Sequence, residues 1–445
     1  MQSLSEFVRQ QGSDRQIRSN VLLLCVILFG ALLAFAMFAA IARDIGPERF
    51  GHFATIFNAV SFLAVVAALG QETLIGRSWN EYAGRGRLDL AGGALVFGIR
   101  NVLIGALLAA VLVVAVGLWF GLHVELALAA AALMVCQTVL AFTSSASRPL
   151  AGVFAATSGY EITWRLATIV GVVVAIAMSL EISDAGLLLL LAGGTALAIF
   201  MQVVPSYRNL PKDFDWSSLS FERAAWLKRS VPMWGAAVLE AASQYVDVVV
   251  IALLIDPVAA GGYFAASRIS NAFAKVTLAG SNLAASRISL LYFNRPRSEL
   301  LDFVRSLALS TAGLVFAGLA ALFVLGTSLL SIFGATYADE FWTLMVLSIG
   351  TATVALCGPA PYLLLHTGHE AIYTRTVAGA LAARLCLFFA LTPVLGTLGA
   401  ALAFTIVALG SCAVLNAVCR RRLGVDPSVF NLIARADPED QPSGA

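Results

Sequence analysis

The sequence predicts an all-α integral membrane protein of about twelve transmembrane helices in two six-helix lobes related by an in-phase internal repeat. Three observations predict it. The chain of 445 residues is 60% hydrophobic and only 12% charged, whereas a soluble domain carries about 25% charged residues. Runs without any Asp, Glu, Lys or Arg extend over 19–42, 101–124, 126–147 and 185–207, each longer than the roughly 18–20 residues that cross a hydrocarbon core as helix. Finally, IARDIGPERFGHFAT at 41–55 returns as IALLIDPVAAGGYFA at 251–265, with a constant offset of 210. Ile41, Ala42, Ile45, Pro47 and Gly51 recur as Ile251, Ala252, Ile255, Pro257 and Gly261, and Phe53 is answered by Tyr263. A barrel-type alternation is absent, so the spans must be helices that satisfy their own backbone groups.

Taken in order, residues 1–18 form an N-terminal segment, and the first span at 19–42 lacks an Ala-x-Ala-type processing site, so it reads as an uncleaved span. Further spans fall near 51–75, 92–117, 124–146, 159–181 and 186–206, completing a first lobe at 19–206. Residues 207–231 hold Pro211, five cationic side chains and two tryptophans, and read as a linker with a short surface helix. The second lobe, 232–420, takes spans near 232–255, 261–286, 306–327, 341–365, 373–395 and 398–419, and residues 421–445 form a polar tail. Alternate connections collect nearly all Lys and Arg; the opposite side holds only Arg43 and Arg49. By the positive-inside rule both termini are cytoplasmic in a multi-pass protein. Trp79, Trp119, Trp164, Trp234 and Trp342 near span ends suit an aromatic belt.

Chemistry-bearing groups are few. The six cysteines read as apolar packing residues, with no disulfide framework and no metal-ligand spacing. His366 and His369 read as interface residues before metal ligands. The net charge of +2 says nothing about partners, no nucleic-acid partner is expected, and connections this short leave no room for an extramembrane active site. Ionisable groups at depth are costly, at least ~2.5–3.5 kcal/mol each, and demand partners or a wetted cavity. Span seven carries Glu240, Gln244 and Asp247 on one helix face, and span eight carries Arg268 and Lys275 on one face. Around the Asp256-Pro257 turn, Glu240 stands at the height of Lys275 and Asp247 at that of Arg268. These four are either structural ion pairs or residues lining a central cavity. Arg384 has no acidic neighbour within a turn, Arg100 snorkels or binds, and Glu161 with Arg165 forms a local pair. Asn58, Gln71 and Asn271 hydrogen-bond either a polar occupant of the cavity or neighbouring helices.

Four stretches carry a resemblance. ARDIGPERFGHFA resembles the first periplasmic turn of polysaccharide transporters in the multidrug/oligosaccharidyl-lipid/polysaccharide exporter superfamily, the Wzx-type lipid-linked oligosaccharide flippases. YVDVVVIALLIDPVAAGGYFAASRIS is similar to that family's span seven to eight hairpin, with Asp247 at its acidic position. LLSIFGATYADEFWTLMVLSIG resembles the approach to span ten, and PVLGTLGAALAFTIV the final hairpin. Ile45 stands where the family usually has Leu, and Val248 where a basic residue is frequent; the second leaves substrate preference open. The resemblance implies a pair of six-helix lobes that flips a polyprenyl-pyrophosphate-linked oligosaccharide by alternating access. It implies no enzymatic step, no bound cofactor beyond H⁺ or Na⁺ coupling, and membrane lipids and polysaccharide polymerase or export machinery as partners. The substrate-binding candidates are then Arg268, Lys275, Arg384, Arg100, Asn271 and Asn58, and the ion-coupling candidates Asp247 and Glu240. The competing functions are a cation-coupled exporter of small amphipathic compounds, a membrane glycan polymerase or ligase, and a scaffold subunit.

Overall fold

A computed structural model describes residues 2–271, 297–357, 360, 364 and 370–423. The described residues are helical, with no strand among them. In order they form α1 (Gln2–Ala67), α2 (Gln71–Ala83), α3 (Leu88–Trp119), α4 (Val124–Ala151), α5 (Val153–Ser158), a π turn (Gly159–Thr163), α6 (Trp164–Ala177), α7 (Asp184–Arg208) and α8 (Arg223–Leu254). α9 follows, described over 257–271, then α10 (Arg297–Ser331), a 3₁₀ turn (Ala335–Glu340), α11 (Phe341–Leu356) and α12 (Glu370–Leu423). Eight runs among them are long and apolar enough to cross a membrane, and two of the eight are double.

The doubling has a backbone cause. Gly46 leaves the helical region at φ 78° and ψ 170°, which Gly tolerates and other residues resist, and Pro47 then starts the second helix with its φ pre-set. The chain folds back there. Phe38 and Phe57 rings lie 5.3 Å apart, whereas nineteen residues of straight helix would separate them by about 28 Å. α12 repeats the device at Gly396 (φ 62°, ψ −143°), and Arg384 reaches the Phe404 ring at 4.8 Å across the fold. Both hairpins fall where the sequence places a turn between spans.

Span two ends earlier than the predicted 51–75. Leu69 (φ 52°) and Gly70 (φ 70°) turn the chain left-handed after Ala67, so Gln71 opens α2 instead of closing a span. α2 is amphipathic: Leu74, Ile75, Ser78, Trp79 and Tyr82 form its buried face. The predicted linker is partly helix, because α8 already begins at Arg223 and buries Trp226 completely. Trp226 Nε1 donates to the Tyr82 hydroxyl at 3.0 Å, which donates to Glu222 at 2.9 Å. Of the five tryptophans expected in a belt, Trp119 and Trp342 are exposed, while Trp79 lies in the core.

Packing divides the chain into two compact units, Met1–Ala265 with Ile332–Tyr337, and Ala266–Ser331 with Ala338–Ala445. This division follows compactness, whereas the lobes expected at 19–206 and 232–420 follow the repeat; the two criteria cut the chain differently. Within the first unit, the two copies of the repeat lie directly against each other. A Cβ on Gly51 would stand 1.8 Å from the Pro257 carbonyl oxygen, and one on Gly261 would stand 3.2 Å from Gly51 Cα. Around them Phe38, Phe50, Phe53, Phe57, Phe264 and Phe333 pack edge to face or tilted. In the second unit, Thr405 donates to Val346 O at 2.8 Å, and Glu340 receives the Thr397 hydroxyl at 2.8 Å.

Candidate functional site

The residues singled out by sequence distribute over both units. In the first, Asp247 is 6% exposed and accepts a hydrogen bond from Tyr263 at 2.8 Å, so the repeat's aromatic position holds the acid of span seven. Gln244 and Glu240, one and two turns away on α8, are exposed. Asn58 is fully buried and its amide donates to Ala54 O at 2.7 Å, one turn back on its own helix. Arg100 is exposed on an α3 face it shares with exposed Leu103, Ile104 and Leu107. In the second unit, Arg268 and Asn271 are half-buried on α9, and Arg384 is 8% exposed with its guanidinium over the Phe404 ring. Lys275, His366 and His369 lie outside the described residues. The Glu240–Lys275 pairing therefore lies outside them as well.

Glu161 and Arg165 are the ion pair seen most completely. They meet at 2.7 Å, both more than nine-tenths buried, and Arg165 also donates to the Glu161 carbonyl. The sequence leads to an exposed local pair worth a few tenths of a kcal/mol; burial makes each partner indispensable to the other. The pair sits on the π turn Gly159–Thr163 and the first residues of α6. Such wide turns occur mostly as single insertions in α-helices, frequently at functional sites. Small residues make room for it. A Cβ at Gly30 would meet Glu161 at 2.8 Å, one at Gly159 would meet Gln202 at 2.7 Å, and one at Gly194 would meet the Trp164 carbonyl at 2.8 Å. The turn thus sits tightly against α1 and α7.

Tyr160 of the turn and Trp164, the first residue of α6, line a cavity of about 100 Å³ inside the first unit. Trp164 Nε1 donates to Tyr160 O at 2.8 Å, which fixes the indole. Ser61 from α1, Gln137 from α4, Thr195 from α7 and Tyr245 from α8 complete its polar lining. Sequence reasoning missed this site. The available signal was Gln137 in the middle of an otherwise uncharged span. A second recess, about 300 Å³ and almost wholly apolar, runs between α3, α4 and α7 and is also lined by Tyr207, Leu210 and Trp216. Its chemistry suits a hydrocarbon chain.

Outside the spans, Arg87 holds Asp89 well below the usual carboxylate range through paired hydrogen bonds of 2.9 and 2.8 Å. Asp89 O also accepts the Ser220 amide at 3.1 Å, tying α3 to the 207–231 segment. Asp215 is held low by Ser217, and burial raises Tyr82. Among the described residues no three His, Cys, Asp or Glu side chains gather as a metal site would require, and the six cysteines are free thiols.

The sequence profile of a family described as polysaccharide biosynthesis protein matches residues 17–285. No curated protein matches the chain. Solved structures share its fold. An inward-facing multidrug resistance MATE family transporter of the MOP superfamily aligns with a TM-score of 0.71 at 14% identity, covering 94% of this chain and 100% of that one. The lipid II flippase MurJ in an inward closed conformation aligns with a TM-score of 0.73 at 13% identity, covering 90% and 87%. A MOP superfamily transporter from Pyrococcus furiosus Vc1, described as having a binding pocket of reversed polarity, aligns with a TM-score of 0.66 at 15% identity, covering 91% and 95%. At such identities the likeness establishes fold and nothing finer.

Proposed function

Because this chain belongs to the polysaccharide biosynthesis protein family, we propose that it is a flippase for a polyprenyl-pyrophosphate-linked oligosaccharide. It would carry an exopolysaccharide, O-antigen or capsule precursor across the bacterial inner membrane by alternating access, with both termini cytoplasmic and no covalent step. One observation carries the reading: a family match over 17–285 in a chain whose fold is that of membrane transporters, one of them a lipid-linked glycan flippase. The task is physical. A pyrophosphate and a polar glycan must pass the bilayer's middle, where an uncompensated charge costs at least ~2.5–3.5 kcal/mol.

Arg268, Lys275 and Arg384 are our choice for the phosphate oxygens, Arg for its planar fork and Lys as a point charge. Arg100 is the weaker cation of the set, on an apolar outward face. Asn271 and Asn58 are assigned to glycan hydroxyls, and Asp247 and Glu240 to H⁺ or Na⁺ coupling. Membrane lipids and a polymerase or export assembly are the expected partners. A cation-coupled exporter of small amphipathic compounds is the second reading, favoured by the likeness to a multidrug transporter.

Glycolipid translocation in proteoliposomes tests both. Wild type is expected to move a polyprenyl-linked glycan, and Arg268→Ala, Lys275→Ala and Arg384→Ala to lower that rate at least tenfold. Unchanged rates in all three would remove the cationic assignment. Drug efflux without glycolipid movement would transfer the case to the exporter.

A further inference from the structure

We infer that the cavity beside the π turn is a binding site for one neutral sugar ring of the translocated glycan, a specificity that rests on the flippase reading. Its lining is unusual for mid-membrane. Among the described residues, the Ser61 hydroxyl, the Gln137 carboxamide and the Tyr160 phenol make no hydrogen bond, although Gln137 sits in the middle of α4 and Thr195 near the middle of α7. Hydrocarbon cannot satisfy an amide, so such groups need a polar occupant or water. Thr195 differs: its hydroxyl donates to Leu191 O at 2.8 Å and offers only acceptor capacity.

The chemistry of the occupant follows from what the lining contains and what it lacks. Tyr160, Trp164 and Tyr245 offer flat apolar faces, and a pyranose has an apolar C–H face to lay on them, met by the negative face of the aromatic ring. Gln137 supplies both donor and acceptor, and Ser61 and Tyr160 supply hydroxyls that do either, which matches ring hydroxyls that also do both. Apart from tyrosine, no ionisable side chain lines the cavity. The nearby charges, Glu161 and Arg165, are oppositely charged and meet each other at 2.7 Å. A neutral lining gives no advantage to a phosphate or a coupling ion and therefore excludes both as the intended ligand.

Size agrees. About 100 Å³ is the liquid volume of roughly three waters at ~30 Å³ each, room for part of one ring set into the recess and too little for an oligosaccharide. The Glu161–Arg165 pair and the glycine contacts at 30, 159 and 194 are positioning elements: they hold the turn that aims Tyr160 and Trp164.

The test uses the full chain in nanodiscs. The probes are the lipid-linked oligosaccharide pool extracted from a source strain lacking this gene, and undecaprenyl pyrophosphate without sugar. Wild type should bind the pool at least tenfold more tightly than the bare carrier. Gln137→Leu and Tyr160→Phe, both compatible with a membrane interior, should each lower that preference roughly two- to tenfold while leaving bare-carrier affinity unchanged. Unaltered melting temperatures verify that both variants fold, and the two positions lie on different helices. A preference that survives both substitutions overturns the site and leaves the flippase reading standing. A wild type with no preference also overturns the site, and if its proteoliposomes move none of the pool, the flippase reading falls with it.

Discussion

Replacing Gly51 by alanine should destabilise the first unit, because the added methyl has nowhere to go. Its position lies 1.8 Å from the Pro257 oxygen and 2.3 Å from that carbonyl carbon, against an ordinary separation of about 3.5 Å. The obstacle is backbone, so no rotamer change relieves it, and the helix must back away from the turn and the aromatic rings around it. Two effects oppose. Alanine favours helix over glycine by about 1 kcal/mol, while overpacking costs about 1–3 kcal/mol and more where the obstacle is rigid. We take the cost at about 3 kcal/mol, leaving a net loss of about 2 kcal/mol. For a unit of this size that lowers the melting temperature by roughly 4–8 °C. Gly193→Ala in α7 is the control, since nothing lies within 4 Å of its would-be Cβ and only the propensity gain remains. Gly261→Ala should fall between, its nearest contacts being 3.2–3.3 Å. Melting of the detergent-purified protein, followed by size-exclusion chromatography, gives the order. If Gly51→Ala melts with Gly193→Ala, at or above wild type, the close approach of the two copies is wrong.

Three further outcomes are expected. Glu161→Ala strands a buried guanidinium and should cost about 3–5 kcal/mol, while Glu161→Met with Arg165→Met recovers most of it; equal melting of the single variant and wild type would contradict the pair. Tyr82→Phe removes the only described hydrogen-bond acceptor of the fully buried Trp226 indole N–H and should cost about 1–3 kcal/mol, read as a lower denaturation midpoint. Asp89 has a folded-state value below its unfolded one, so its stabilisation is complete above about pH 4 and is lost as pH falls through the folded value. Asp89→Asn should therefore melt below wild type at neutral pH and converge with it in strong acid; a gap that persists there would place the stabilisation elsewhere.

Much of the scaffold is legible in the residues themselves. Gly46-Pro47 and Gly396 mark hairpins because left-handed backbone and a proline start are properties of single residues. The end of span two is harder to read, since the apolar run continues past Ala67 and the break depends on Leu69 and Gly70 alone. Height in the seven–eight hairpin was readable, and it matched Asp247 with Arg268. Height leaves azimuth open, and it gives no sign that Tyr263, sixteen residues from Asp247, donates a hydrogen bond to that acid. The π turn has no residue signature. It depends on glycines in α1 and α7 that are distant in sequence, so the aromatic cavity emerges only with packing.

The contact between Gly51 and Pro257 also sets a schedule. The two are separated by 206 residues, and at about 5–20 residues per second the ribosome needs roughly 10–40 s to travel between them. For that interval the first hairpin exists in the bilayer with Phe38 and Phe50 facing a surface that has not been made. Late-arriving Phe264 and Phe333 then close it. A nascent chain stalled before the second copy would leave that aromatic face open to lipid or to another immature chain, so biogenesis is most vulnerable in the stretch between the two copies.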